Sequence, residues 1–269
     1  MRLAPSGRAI SIMYHDVVAA GDLASSGFSG PGADIYKLDR DEFVGHLDGM
    51  RFSPSVIDNA GVVTSAAGAP APVFLTFDDG GISALTHAAP ILEERGWRGH
   101  FFVTTDRIGA AGFLSGIQVR ELASRGHIVG SHSCSHPKRI SACTPAELRH
   151  EWGDSIDALE QLLGERVTTA SVPGGFYSAA VGRSAAAAGI RTLFTSEPTT
   201  RVGQIDACLL VGRYGVWRGM STSTKGRIAA GALLPRWRQS AWWSLKKAAK
   251  SLPGDPYAKL RRVLLAKRA

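Results

Sequence analysis

Along the chain, short apolar runs alternate with longer segments whose apolar residues recur every three or four positions. The runs at 9–15, 73–77, 99–103, 127–130, 168–172, 190–195 and 209–213 have the length and the β-branched or aromatic content of buried strands. Helical periodicity fills 39–50, 82–94, 115–124 and 178–188, and is clearest between Thr144 and Gly164. There Thr144 caps, Pro145 takes the first helical position and Glu147 completes a capping box. Leu148, Trp152, Ile156, Leu159 and Leu163 then form one apolar stripe, and Gly164 stops the helix. Residues 19–34 are rich in small residues and read as a loop, and 61–72 as a breaker-rich approach to the strand at 73–77.

Strands alternating with helices imply parallel strands joined by crossovers, and some seven such units in roughly 220 residues fit a closed or nearly closed β/α barrel. In barrels of this kind the chemistry sits on the loops that follow the strands. Those loops are therefore where candidate residues belong.

Composition adjusts this picture in two places. The chain has 269 residues, 44% of them hydrophobic, which excludes a mainly disordered protein. Its formal charge of +8 is unevenly spread. The segment 225–269 carries +11 and the first 224 residues carry −3. A slightly acidic body makes a nucleic-acid-binding body improbable. Three cysteines at scattered spacings, Cys134, Cys143 and Cys208, give no disulfide framework and fit a reducing compartment. The apolar run near the start is short and closed by His15 and Asp16, unlike a secretory leader, so a cytoplasmic location is expected.

Three strand ends carry candidate chemistry. After the strand at 73–77 comes Asp78-Asp79-Gly80-Gly81. Two adjacent carboxylates at the end of a buried strand repel unless a cation offsets them; the same four residues also read as a turn with a helix cap. After the strand at 127–130 comes His132-Ser133-Cys134-Ser135-His136. Imidazoles at i and i+4 converge on one side of a helical turn, a good spacing for a first-row metal, although such pairs also arise by chance. One aspartate and two histidines together make an open three-ligand site, leaving the second aspartate to take a proton from water acidified by the metal. After the strand at 168–172 comes Pro173-Gly174-Gly175-Phe176-Tyr177, where glycines let backbone N–H groups approach a ligand, or simply turn the chain into a helix.

Thr76-Phe77-Asp78-Asp79-Gly80, followed about 50 residues later by His132-Ser133 and His136 and then by Pro173-Gly174-Gly175, resembles the polysaccharide deacetylases of carbohydrate esterase family 4, the NodB-like family. The resemblance spans about residues 9–215. It implies a distorted (β/α)7 barrel and a metal, usually zinc, on Asp79, His132 and His136, with Asp78 as general base. It further implies an oxyanion donor at the Gly174 backbone, with Gly175 and Tyr177 beside the substrate. The reaction implied is removal of an acyl group, commonly acetyl, from an amino sugar. Three departures stand out. Ser171 occupies the position where the family carries an arginine that orients the base. The family's later motif with Asp and Trp has no match, and no histidine follows His150 to serve as the late general acid. His15, ending the first strand, is the candidate replacement acid, and Arg213, ending the last, is the candidate replacement arginine. Loss of both family residues also leaves open a degenerate member that binds metal or glycan without turnover. The remaining histidines, His46, His87, His100, His127 and His150, read as structural or surface residues.

Domain boundaries follow the charge, with a deacetylase-like body over 1–224 and a basic helical tail over 225–269. The tail interleaves Trp237, Trp242 and Trp243 with Arg236, Arg238, Lys246, Lys247 and Lys250. That composition suits an anionic membrane surface, or helices that dock on the barrel with their bases in solvent. A cytoplasmic deacylase at the inner membrane face would meet a lipid-linked or nascent glycan, as in capsule, exopolysaccharide or O-antigen assembly.

Overall fold

All seven apolar runs become strands of one curled sheet. In a computed structural model, residues 2–50, 53–64 and 71–220 are described, and the basic segment 225–269 lies outside them. The strands are β1 (Ile10–Tyr14), β2 (Val73–Phe77), β3 (His100–Val103), β4 (Ile128–Ser131), β5 (Thr169–Ser171), β6 (Thr192–Phe194), β7 (Gly203–Ile205), β8 (Cys208–Val211) and β9 (Tyr214–Gly215). Their order across the sheet is β7-β8-β6-β5-β4-β3-β2-β1-β9. Every neighbouring pair is parallel except β7 and β8, an antiparallel hairpin at one edge.

Chain length dictates the curl. β8 lies near one edge of the sheet and β9 forms the other, yet only Gly212 and Arg213 separate them. Three Cα steps span at most about 11 Å, so the two edges must come together. Backbone bonds from Ala9 to Thr200 and from Val202 to Gly7, each 2.9 Å, help to close the seam. The result is a curled, nearly closed β/α barrel, as the alternation led us to expect, with the distortion that the resemblance implies. Arg213 is thereby moved from the expected end of a strand into the link that closes the barrel.

Period-two alternation divides the apolar residues into two cores. Ile10, Ile12, Val73, Leu75, Phe77, Phe101, Val129, Ala170 and Leu193 face outward and pack against helices. Those helices are α1 (Arg40–Asp48), α2 (Ala89–Glu93), α3 (Gly116–Ser124), α4 (Pro145–Leu163) and α5 (Ala179–Ala187). Phe74, Phe102, Phe194 and Val211 face inward and fill the barrel floor, the Phe74 and Phe102 ring centroids lying 5.9 and 5.3 Å from that of Phe194. His100 stands among them with its Nε2 accepting from the Ile57 amide at 3.1 Å. Burial, with a smaller push from the charge of His127, pulls its pKa down to about 4. The same inward parity carries on upward through Thr76 to Asp78, which places one of the two adjacent aspartates inside the barrel mouth.

The helices begin and end where their sequences direct. Thr144 and Glu147 form the expected box on α4, with Glu147 N–H donating to Thr144 Oγ1 at 3.3 Å and Gly164 closing at φ 72°. Ser115 and Gln118 form a second box on α3. The helix expected at 82–94 opens instead with a wide π turn at Ala84–Ala88 before α2, because Pro90 has no N–H for the regular ladder. Among the described residues no helix is long and apolar enough to cross a membrane.

Candidate metal and acid–base centre

Asp79, His132 and His136 come together at the barrel mouth, each offering one donor atom, and the three atoms lie within 4.8 Å of one another. Asp79 Oδ1 stands 3.3 Å from His132 Nε2 and 3.6 Å from His136 Nε2. Zinc bonds to nitrogen and oxygen of about 2.0–2.2 Å place tetrahedral ligands roughly 3.3–3.6 Å apart, so the donor set fits a first-row divalent ion. The backbone is bent to make this cluster. Asp79, Ser133 and His136 all adopt positive φ, at 78°, 65° and 57°, a conformation that costs non-glycine residues energy and is held only where the surroundings enforce it.

Part of that enforcement comes from Glu151, a buried acid on the inner side of α4 that sequence reasoning passed over. Its carboxylate accepts from the Cys134 amide at 3.1 Å, the Ser135 amide at 3.0 Å and the Ser135 hydroxyl at 2.5 Å. It thus clamps the loop between the two histidines. The available signal was an acid beside Trp152, on the apolar stripe. Cys134 itself turns toward Asp106, 3.1 Å away, and its thiol is pushed up to about 12 by burial and that carboxylate, so it is neither ligand nor nucleophile.

Asp78 is held by Arg213. The guanidinium is fully buried and donates from Nη1 to Oδ1 at 2.7 Å and from Nη2 to Oδ2 at 2.8 Å, a two-pronged pairing that fixes the carboxylate plane. Its remaining bonds run to Thr195 O at 3.1 Å and Thr76 Oγ1 at 3.2 Å. Burial works against ionisation of Asp78, but the charges of Arg213 and His132 outweigh it and hold its pKa below the ordinary carboxylate range. Asp79 is likewise held low: burial is offset by the His132 hydrogen bond and the charges of His15 and His136. Burial depresses the two histidines, yet Asp78 and Asp79 turn His132 upward while His136 remains low.

His15 lies one residue beyond Tyr14, the partner in register of Phe77, and so beside Asp78. Its ring stacks on Tyr36 at 4.7 Å, and its Nδ1 is buried without a hydrogen-bond partner. Gly174 and Gly175 turn the chain after β5 with φ of 62° and 68°, as a backbone approach requires. Tyr177 is not brought to the group. A β-carbon at Gly182 of α5 would stand 2.9 Å from its hydroxyl, so the ring belongs to the packing between α5 and β7. The strap at 19–34, read as a plain loop, is tied down by Asp16, whose Oδ1 accepts from Ser26 at 2.5 Å and Ser83 at 2.7 Å. A β-carbon at Gly81 would overlap both Asp16 and Ser26, which is why that turn ends in glycine. The strap sets the Phe28 ring 5.0 Å from His136.

Comparison with known proteins agrees with this geometry. Residues 66–193 match the family model for polysaccharide deacetylases. YxkH of Bacillus subtilis, named as a polysaccharide deacetylase, is 28% identical over 154 residues, covering 57% of this chain; the chain spans about half, 54%, of that relative. Among solved structures, the Streptococcus pyogenes deacetylase PplD, determined with acetate, is similar at TM-score 0.65 and 21% identity, over 81% of this chain and 96% of PplD. IcaB from Ammonifex degensii is similar at TM-score 0.63 and 20% identity, over 84% and 97%. At these identities the structural likeness establishes the fold.

Proposed function

We propose that the protein is a metal-dependent hydrolase that removes an acyl group, in the first place N-acetyl, from an amino sugar of a glycan. The observation that supports this most directly is the pairing of two adjacent buried aspartates with different partners. Asp79 faces His132 and His136, while Asp78 is fixed and kept ionised by Arg213. Zinc is the metal we assign to Asp79, His132 and His136; when bound it acidifies water and polarises the acyl carbonyl. Asp78 takes the proton from the attacking water at a carboxylate oxygen, and the Arg213 fork keeps that oxygen aimed and charged. The backbone N–H of Gly174 donates to the carbonyl oxygen as negative charge develops there. His15, beside Asp78, returns a proton to the leaving amine. We extend the reading to a lipid-linked or nascent glycan met at the inner face of the membrane, supported by the +11 of residues 225–269 in the sequence alone.

The test is metal analysis of the purified protein coupled to acetate release over N-acetylated saccharides, free and lipid-linked. One bound metal and metal-dependent acetate release are expected. Stoichiometric metal with no acyl release from any of these substrates would refute the enzymatic reading.

A further inference from the structure

Ser171 stands between the two functional halves of this site, and its single hydroxyl touches both. Its Oγ lies 2.6 Å from His132 Nδ1 and 3.0 Å from Asp78 Oδ1. The residue is fully buried at the end of β5, on the inward parity shared with Thr169, so no water competes for these contacts. We propose that Ser171 is a positioning residue whose hydroxyl bridges His132 Nδ1 and Asp78 Oδ1, fixes the orientation of the His132 ring, and so presents His132 Nε2 as a metal ligand. The inference rests on the metal-site reading of Asp79, His132 and His136.

The donors and acceptors around this hydroxyl allow one arrangement. Asp78 is pinned as a carboxylate by the Arg213 fork, and an ionised carboxylate only accepts hydrogen bonds. The 3.0 Å contact between Ser171 Oγ and Asp78 Oδ1 is therefore favourable only if serine donates. A hydroxyl has one proton, so Oγ can offer His132 only a lone pair, and His132 Nδ1 must carry the hydrogen. With Nδ1 carrying a hydrogen, Nε2 is the nitrogen left to face Asp79 Oδ1 at 3.3 Å; it donates to that carboxylate in the metal-free protein and would offer its lone pair to a metal held between them. The order of bonds runs from His132 Nδ1–H to Ser171 Oγ–H to Asp78. The Ser171 backbone oxygen, 3.2 Å from Nδ1, also accepts from that nitrogen but is more distant than the hydroxyl. A hydroxyl is the smallest group that both accepts and donates. Partners that orient a metal-binding histidine commonly change metal affinity 10- to 100-fold when removed.

The experiment titrates zinc chloride into the metal-free full-length protein by calorimetry, comparing wild type, Ser171→Ala, Ser171→Thr and His136→Ala. Ser171→Ala is expected to bind zinc about 10- to 100-fold more weakly, with an unchanged melting temperature in the metal-free state. Ser171→Thr, which keeps the hydroxyl, is expected to bind within a few-fold of wild type. In the zinc-loaded wild type, nitrogen NMR of the histidine rings should show His132 protonated at Nδ1. Should Ser171→Ala fail to fold, Ser171→Cys, with a weak donor in the same place, takes its role in the comparison. Zinc bound by wild type and lost in His136→Ala, but bound equally by Ser171→Ala or Ser171→Cys, would overturn the role of Ser171 alone. No zinc bound by wild type, or equal binding by His136→Ala, would remove the metal site and this inference with it.

Discussion

Asp16 and Asp78 follow neighbouring parallel strands, β1 and β2, and both are buried at the barrel mouth, yet their surroundings drive their carboxyls in opposite directions. Asp78 meets a guanidinium and an imidazole and is held below the ordinary carboxylate range. Asp16 meets the hydroxyls of Ser26 and Ser83, and the charge of Lys37 favours its ionisation only weakly. Burial prevails there, and its pKa rises. Hydroxyl donors satisfy the lone pairs of a carboxyl without offsetting the cost of burying its charge, whereas a fully engaged guanidinium does both. Positions just past neighbouring strands thus yield a group fit to accept a proton and a group fit to anchor a loop. The distinction lies in the partners and not in the residue type.

The strongest way to break this contrast is Asp78→Asn, which leaves Asp79, His132 and His136 in place and removes only the proton acceptor. Acetate release is expected to fall roughly 10²- to 10⁴-fold with metal content unchanged. Activity within a few-fold of wild type would assign the base to another group.

Arg213→Met comes next, because it strips the charge partner from Asp78 while filling similar volume. Leaving a buried carboxylate unpaired costs about 3–5 kcal/mol, readable in urea unfolding of the metal-free protein. Asp78 then resembles Asp16: its pKa rises, and the acid limb of the pH–rate profile moves to higher pH. Arg213→Lys keeps the charge and loses the fork, so stability should recover more than activity. An unshifted acid limb in Arg213→Met would separate that limb from Asp78.

These partners differ in how far the sequence revealed them. The inward line Phe74, Thr76, Asp78 is a period-two pattern on a strand whose outward residues are Val73, Leu75 and Phe77, so the sheet and the placing of Asp78 can be read locally. The His132–His136 spacing is legible for the same reason. Arg213 is harder, since its reach to Asp78 depends on Gly212 and Arg213 spanning the gap between β8 and β9, a closure that only the whole sheet defines. Ser171 stands out in sequence only as an unexpected residue; its contact with His132 follows from the pairing of β5 with β4, and its contact with Asp78 from the curl that brings β5 and β2 together across the barrel mouth. Glu151, Ser26 and Ser83 act from a helix, a strap and a turn distant in sequence, and no local periodicity marks a buried acid that binds backbone amides of another element. The Ala84–Ala88 turn shows the reverse case: Pro90 was visible, and its effect on the preceding turn follows from its missing N–H.

His100 contributes an acid-side slope of its own, which must be removed before the carboxylates can be compared. Its pKa is about 4 in the folded protein, against about 6.5 in an unfolded chain, so the unfolded state binds the proton first as pH falls. Stability is therefore full above about pH 6.5 and declines toward pH 4, by about 3 kcal/mol from this one group. His100→Gln, keeping a side chain able to accept from the Ile57 amide, is expected to flatten that interval in urea unfolding across pH. A slope unchanged by the substitution would place the titration elsewhere.

The smallest effect, and the sharpest for the comparison, belongs to Asp16→Asn. An amide oxygen accepts from Ser26 and Ser83 as the carboxylate does, so the strap should stay in place and Phe28 should stay beside His136. For a carboxyl whose folded pKa is raised, the folded state holds the proton more tightly. Its contribution to stability is present at low pH and is lost as pH climbs from the unfolded value of about 3.9 through the folded one. Asp78 has the opposite sign: its contribution is present above the unfolded value and is lost as pH falls through its lowered folded value. At neutral pH, Asp16→Asn removes a charge that the fold disfavours, and stability is expected to change by no more than about 1 kcal/mol, in the stabilising direction. In a His100→Gln background the two aspartate variants should bend the pH–stability curve in opposite senses. A loss of several kcal/mol in Asp16→Asn would instead mean that Asp16 is ionised and paired like Asp78, and the contrast between the two carboxyls would not stand.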